Sequence, residues 1–129
     1  MSLQTGDLVN YDSINAQSGL NVISQSVDNS AGGYIGADSV VIKSQGAVNN
    51  QAGAIESTHT LTVSADSLAN DGGSIKALGT DALSVTVTNA LTNTANGIIG
   101  GNGAASVAEG RAWSRLRSPM KRTMRRDRR

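Results

Sequence analysis

The stretch VNNQAGAIESTHTLTVSADSLANDGGSIKA (48–77) states one pattern twice. VNNQAGAI (48–55) returns twenty residues later as LANDGGSI (68–75). Both begin with an aliphatic residue two positions before Asn, and both place Gly two positions before Ile. Between them lies LTV at 61–63, an alternation of apolar and polar side chains. Alternation is the strand period, because successive side chains point to opposite faces.

Extending outward from this core, the aliphatic-x-Asn triplet occurs five times, ending at Asn10, Asn29, Asn50, Asn70 and Asn93, at intervals of 19, 21, 20 and 23. An Ile follows each Asn within four to six residues: Ile14, Ile35, Ile55, Ile75 and Ile98. Gly33, Gly53 and Gly73 stand two before the Ile in the second to fourth copies. A second apolar pair follows in the first four copies: Leu20/Val22, Val40/Ile42, Leu61/Val63 and Leu83/Val85. A unit of this length cannot bury its own apolar face, whereas stacked copies cover one another.

The expected fold is therefore all-β, a right-handed parallel β-helix (β-solenoid) of about five coils of ~20 residues. The Ile residues should form one interior column. The leading aliphatics Leu8, Val27, Val48, Leu68 and Leu91 should form another. The Asn side chains should stack at a corner and bond along the axis, as Asn ladders do in cross-β stacks, with Asn tolerating a left-handed corner. The Gly before each Ile should supply a positive φ. The long fourth interval should bulge at LGTD (78–81). A hairpin-connected sandwich is the competing architecture, but it gives no reason for a fixed register of Asn and Ile.

Composition agrees with short strands and frequent turns. There are 15 Gly, and Phe is absent beside two Tyr and one Trp, so the core must come from Val, Ile, Leu and Ala. Without Cys there is no disulfide, thiolate metal site or Cys nucleophile. No basic-then-apolar leader opens the chain, and no apolar run has membrane-spanning length.

Charge divides the chain. Residues 1–103 carry eight acidic side chains against Lys43 and Lys76, a net −6; residues 104–129 carry nine Arg or Lys against Glu109 and Asp127, a net +7. The expected organisation is a repeat domain at 1–103 and a basic tail at 104–129. The tail, with Trp113 as its aromatic, has the composition of an arm for nucleic acid or an acidic membrane. An unfolded, solvated segment is the preferred reading, because dense like charge cannot offset ordering entropy. A frameshifted reading frame would also produce such an abrupt switch.

LANDGGSIKALGTDALSVTVTNALTN (68–93) resembles the repeats of filamentous haemagglutinin-type exoproteins. These read L-x-N-x-G-G-x-I-x-A, then L-x-L or L-x-V, then another L-x-N. Residues 68–77 fill every slot of the first half; 48–57 match all but one Gly and the final Ala; 27–37 carry one insertion; 91–98 match loosely. The resemblance covers about residues 8–103. It implies the shaft of a secreted or cell-surface bacterial adhesin, or the stalk of a contact-dependent inhibition protein. It further implies an outer-membrane partner transporter for the parent protein and an undefined receptor or glycan on a host or neighbouring cell. The chain departs from the family in its short length, its lack of the amino-terminal secretion domain and its basic end, as a fragment would.

No catalytic, cofactor or metal site is expected. His59 is the sole His and reads as the polar phase of a strand, so neither a metal pair nor a Ser–His–Asp triad can be assembled. GIIGGNG (97–103) matches no nucleotide-binding fingerprint and reads as a turn ending the last coil. Asp28, Asp66, Asp71 and Asp81 occupy different slots, so stacking gives no carboxylate row of the kind a polysaccharide-cleaving β-helix uses. Neither end carries an evident cap, and self-association through open solenoid ends is expected.

Overall fold

The structure, a computed structural model, describes residues 1–109. Its strands, in chain order, are β1 (Ser2–Gln4), β2 (Asp7–Val9), β3 (Ser13–Asn15), β4 (Gly19–Ser24), β5 (Ser26–Asp28), β6 (Tyr34–Ala37), β7 (Ser39–Ser44), β8 (Ala47–Asn49), β9 (Ala54–Ser57), β10 (Leu61–Ala69), β11 (Ser74–Ala77), β12 (Leu83–Thr92), β13 (Ile98–Gly101) and β14 (Ala105–Glu109). The described residues hold no helix. All pairings are parallel and join each strand to its equivalent one coil away. The chain is a β-solenoid of about five turns, roughly 21 residues each.

Each coil gives one strand to each of three faces. The first face stacks β1, β4, β7, the leading half of β10, the leading half of β12, and β14. The second stacks β2, β5, β8 and the trailing halves of β10 and β12. The third is a separate sheet of β3, β6, β9, β11 and β13. With strands ~4.8 Å apart, five coils rise about 24 Å.

Register stacks chemically equal side chains. Val22, Ile42, Val63, Val85 and Val107 lie in one column of the first face. Leu8, Val27, Val48, Leu68 and Leu91 run up the second. Both columns belong to the single core inside the coil, where their central members are 0–2% exposed. Aliphatic layers of uniform size fill this narrow interior, which is why the near-absence of aromatics costs the fold little.

The third-face column corrects one expectation. Ile14, Ile35, Ile55 and Ile75 are in register, but the fifth member is Ile99, paired with Ile75. Ile98 pairs with Ser74 and points outward, 49% exposed, against 4% for Ile99. Gly97 then stands two before Ile99, as Gly does in the three preceding copies, and GIIGGNG is strand β13 through Gly101 rather than a terminating turn. Ile99→Ala should therefore lower stability by about 2–4 kcal/mol, and Ile98→Ala by under about 0.5. Urea unfolding of the two variants measures the difference.

The corner between the second and third faces corrects a second expectation. Gly33, Gly53 and Gly73 do not take positive φ; the left-handed residues are Gly32, Ala52, Gly72 and Asn96, joined by Ala31 and Ala95. In the compact corners Gly53 N donates to Asn50 O and Gly73 N to Asn70 O, closing four-residue turns with positive φ at the third position only. In the two corners longer by one residue, Gly33 N donates to Ser30 O and Gly97 N to Thr94 O. There both central residues take positive φ, as a type I′ turn requires. The inserted residue changes the turn type and leaves the flanking columns in place. The stacked Asn residues are not themselves left-handed; Asn96, inside a turn, is the one that is.

Ala52, at φ 59°, bears a steric cost that Gly72 escapes one coil later. Ala52→Gly should raise stability by about 0.5–1 kcal/mol, the relief of strain exceeding the added freedom of the unfolded chain. A shift of the urea midpoint to higher concentration tests it.

The long fourth interval is absorbed at two places rather than one. Leu83 pairs with Leu61, so the turn around 78–81 holds two residues more than the preceding coil. The third extra residue sits at a β-bulge, where Val87 and Ala90 of β12 oppose Ala65 and Ser67 of β10. Asn89 in that bulge donates to Asp66 Oδ1 at 2.8 Å. The ladder also passes the charge boundary at 103, because β14 pairs with β12 from Ala105 to Glu109. The rest of the basic tail, Trp113 included, lies outside the described residues.

Candidate functional site

The most organised polar array is internal. Asn10 Nδ2 donates to Asn29 Oδ1 (2.7 Å), Asn29 to Asn50 (2.8 Å), Asn50 to Asn70 (2.7 Å) and Asn70 to Asn93 (2.8 Å). The second N–H of each donor reaches the carbonyl just before the next coil's Ile: Tyr34, Ala54, Ser74 and Ile98, at 2.9–3.0 Å. Asn29, Asn50 and Asn70 are fully buried. Each donates in one axial direction and accepts from the other, so amides that would be costly to bury alone are satisfied by repetition.

The glycine slot makes room for this ladder. A Cβ at Gly53 would fall on the carbonyl oxygen of Asn29 and 2.7 Å from Asn50 Oδ1; one at Gly73 would fall on Asn50 O and 2.7 Å from Asn70 Oδ1. Gly33 and Gly97 face the equivalent atoms one coil below and one coil above. Absence of a side chain, rather than backbone freedom, is what the slot requires.

Outside lie three polar clusters, two at the corners and one on the third face. Asp28 accepts from Ser30 Oγ (2.6 Å), Ser30 N (3.2 Å) and Tyr11 Oη (3.0 Å). The bonds from Ser30 hold its carboxyl below the usual range, and the facing carboxylate raises the Tyr11 phenol. Tyr34 lies over Gly36 and donates to Glu56 Oε1 at 3.4 Å; burial, then the Glu56 charge, raises its pKa. Asp71 accepts from Thr94 N (2.8 Å), Thr94 Oγ1 (2.7 Å), Thr92 Oγ1 (3.1 Å) and Gln51 Nε2 (3.2 Å), tying three successive coils together.

The Asp71 cluster sets a pH dependence. Its bonds with Thr94 hold the carboxyl below the ordinary aspartate value. A depressed folded-state pKa gives stability that is present above the unfolded value and is lost as pH falls through the folded one. Between pH about 4 and 2 the wild-type unfolding temperature should therefore fall more steeply than that of Asp71→Asn. Thermal melts at a series of pH values compare the slopes.

These clusters do not converge on a reaction centre. His59 is exposed, and it sits in the corner before β10 rather than on the polar phase of a strand. No strand pairing among the described residues sets two carboxylates side by side: Asp28 neighbours Val9 and Asn49, and Glu56 neighbours Gly36 and Lys76. Among the described residues no three His, Cys, Asp or Glu side chains gather as metal ligands would. The one buried side-chain oxygen there without a partner, Ser24 Oγ, belongs to an interior column. What the geometry can do chemically is stack coils with a fixed direction. Comparison with protein-family models, curated proteins and solved structures found no significant match.

Proposed function

We propose that this chain is a length-giving structural module of a secreted or cell-surface bacterial exoprotein resembling the filamentous haemagglutinin type. Its chemistry is that of a shaft: it holds other parts at a distance and turns over no substrate. The observation that carries the reading is the unbroken amide ladder from Asn10 to Asn93, with a glycine cleared for it at Gly33, Gly53, Gly73 and Gly97. These residues, buried except for the half-buried Asn93 and Gly97, are the ones through which the sequence resembles that repeat. On this reading an outer-membrane partner transporter exports the parent protein, and receptor contact falls to loops or to other segments.

Immunolabelling of intact producing cells with an antibody against the solenoid tests the proposal. Surface or culture-medium signal that disappears when the partner transporter is deleted is the expected result. A protein confined to the cytosol would refute it.

A further inference from the structure

We infer that Asn96 is a site of spontaneous deamidation, paced by the Asp71 cluster one coil below. This inference does not rest on the exoprotein reading.

The fold itself builds the reactive pair. In the corner between the second and third faces, the position before the slot glycine is left-handed and is filled by Gly32, Ala52, Gly72 and Asn96. Gly and Asn enter that conformation most easily. The next position must be Gly, because a Cβ at Gly97 would fall on Asn70 O and Asn93 Oδ1. An Asn at the first position therefore always meets a Gly at the second. Glycine presents its backbone nitrogen with no side chain to shield it. That nitrogen gives up its proton and attacks Cγ of Asn96. The new N–Cγ bond closes a succinimide, and the Cγ–Nδ2 bond breaks to release ammonia. Water then opens the ring at either carbonyl, leaving aspartate or isoaspartate. One water is consumed for each ammonia released, and nothing is oxidised or reduced.

Three pairs in the sequence have Asn or Asp before Gly: Asp71–Gly72, Asn96–Gly97 and Asn102–Gly103. Two of these side chains are held. Asp71 spends both carboxyl oxygens on Gln51, Thr92 and Thr94. Asn102 Nδ2 donates to Leu78 O of the coil below at 2.8 Å. The Asn96 side chain is exposed and makes no bond among the described residues. Its restraint is the turn. Gly97 N–H is committed to Thr94 O at 2.9 Å, so attack waits for the corner to open. Thr94 is pinned in turn by Asp71, which accepts from its N at 2.8 Å and its Oγ1 at 2.7 Å. The frequency of local opening is set by the bonds that must break, so Asp71 governs the rate at Asn96.

The isoaspartyl product cannot close the corner again. Its main chain runs through Cβ and Cγ and is lengthened by a methylene. Gly97 sits directly against Asn70 O and Asn93 Oδ1, with no space for the extra group. β13 then loses its register with β11, and Ile99 its place beside Ile75. The reaction is a one-way record of how often this corner has opened.

The full chain, kept folded in mildly alkaline buffer and mapped by peptide mass spectrometry, tests the inference. Asn96 should convert ahead of Asn102, with isoaspartate among the products. Asp71→Ala should raise the rate at Asn96 about tenfold relative to Asn102, as the loss of bonds to a charged acceptor implies. Thr94→Ala keeps the backbone bond to Asp71 and loses the hydroxyl, and should give a smaller rise. The isoaspartyl form, purified by chromatography, should unfold at lower urea than Asn96→Asp, which carries the same charge on an unlengthened backbone. Asn102 converting first would overturn the inference. So would an Asn96 that stays intact through many half-lives of the urea-unfolded chain, equal acceleration of both asparagines by Asp71→Ala, or an isoaspartyl form as stable as Asn96→Asp.

Discussion

Replacing Asn50 by alanine should cost about 3–5 kcal/mol, more than any surface polar substitution in the chain. The side chain sits at the middle of the ladder, with no exposed surface. Its removal leaves Asn29 Nδ2 without its axial acceptor, Asn70 Oδ1 without its donor and Ser74 O without its side-chain partner. Each stranded buried group costs about 1–3 kcal/mol. Asn50→Asp separates the amide's two roles. The carboxylate can still accept from Asn29, but it turns a charged acceptor toward Asn70 Oδ1. That variant should be destabilised at neutral pH and recover on acidification, because the protonated acid can donate again. Asn21, exposed on the first face, is the control, and its alanine variant should change stability by under about 0.5 kcal/mol. Chemical unfolding followed by circular dichroism reads all three.

The second large effect is expected at Gly73. Alanine there should cost about 3–5 kcal/mol, whereas alanine at Gly72 should cost only about 1. At Gly73 the added methyl meets Asn50 O and, at 3.1 Å, Asn50 Nδ2 of the coil below, and at 2.7 Å the ladder atom Asn70 Oδ1 of its own coil. These atoms are fixed by the stack, so the methyl can be admitted only by prising two coils apart. At Gly72 the nearest atom is Ala95 O at 3.7 Å, and the cost is that of an L-residue at φ 69°. The chain already tolerates this at Ala52, the equivalent position one coil earlier. Adjacent glycines thus separate close approach from backbone conformation in a single pair of substitutions. Equal losses at both would show that the glycine slot has been misassigned.

Much of this architecture was legible because a repeat prints its geometry into the sequence. Five aliphatic-x-Asn triplets at near-constant spacing are enough to infer stacking, and the registers Ile35–Ile55–Ile75 and Val27–Val48–Leu68 follow from it. The misplacement of Ile98 for Ile99 arose where two Ile residues are adjacent and the turn is one residue longer. The offset shared by the glycine-bearing copies is Gly to Ile, and counting two residues forward from Gly97 finds Ile99. The role of the slot glycines was misread for a different reason. Positive φ and close approach both select Gly, and sequence alone does not separate them when Gly32–Gly33 and Gly72–Gly73 come in pairs. The copy QAGA (51–54) held the clue, since Ala52 occupies the left-handed position and Gly53 does not. The bulge at Asn89 left no signal, because a bulge lengthens a strand without a turn residue to mark it. The external clusters around Asp28 and Asp71 were not foreseen either; apart from Ser30 beside Asp28, their partners lie one coil away, at offsets of 17 to 23 residues.

The corners that accept one more residue by changing turn type have a consequence for how such a chain can vary over generations. Small insertions are tolerated where the backbone reverses, because the interior columns never register them. A one-residue slip inside a strand would turn every core side chain outward. Duplication of an entire coil, by contrast, would bring its own Asn, Gly and Ile and add about 4.8 Å of height. Descendants of this sequence should therefore differ in stature by whole storeys, while their corners drift freely.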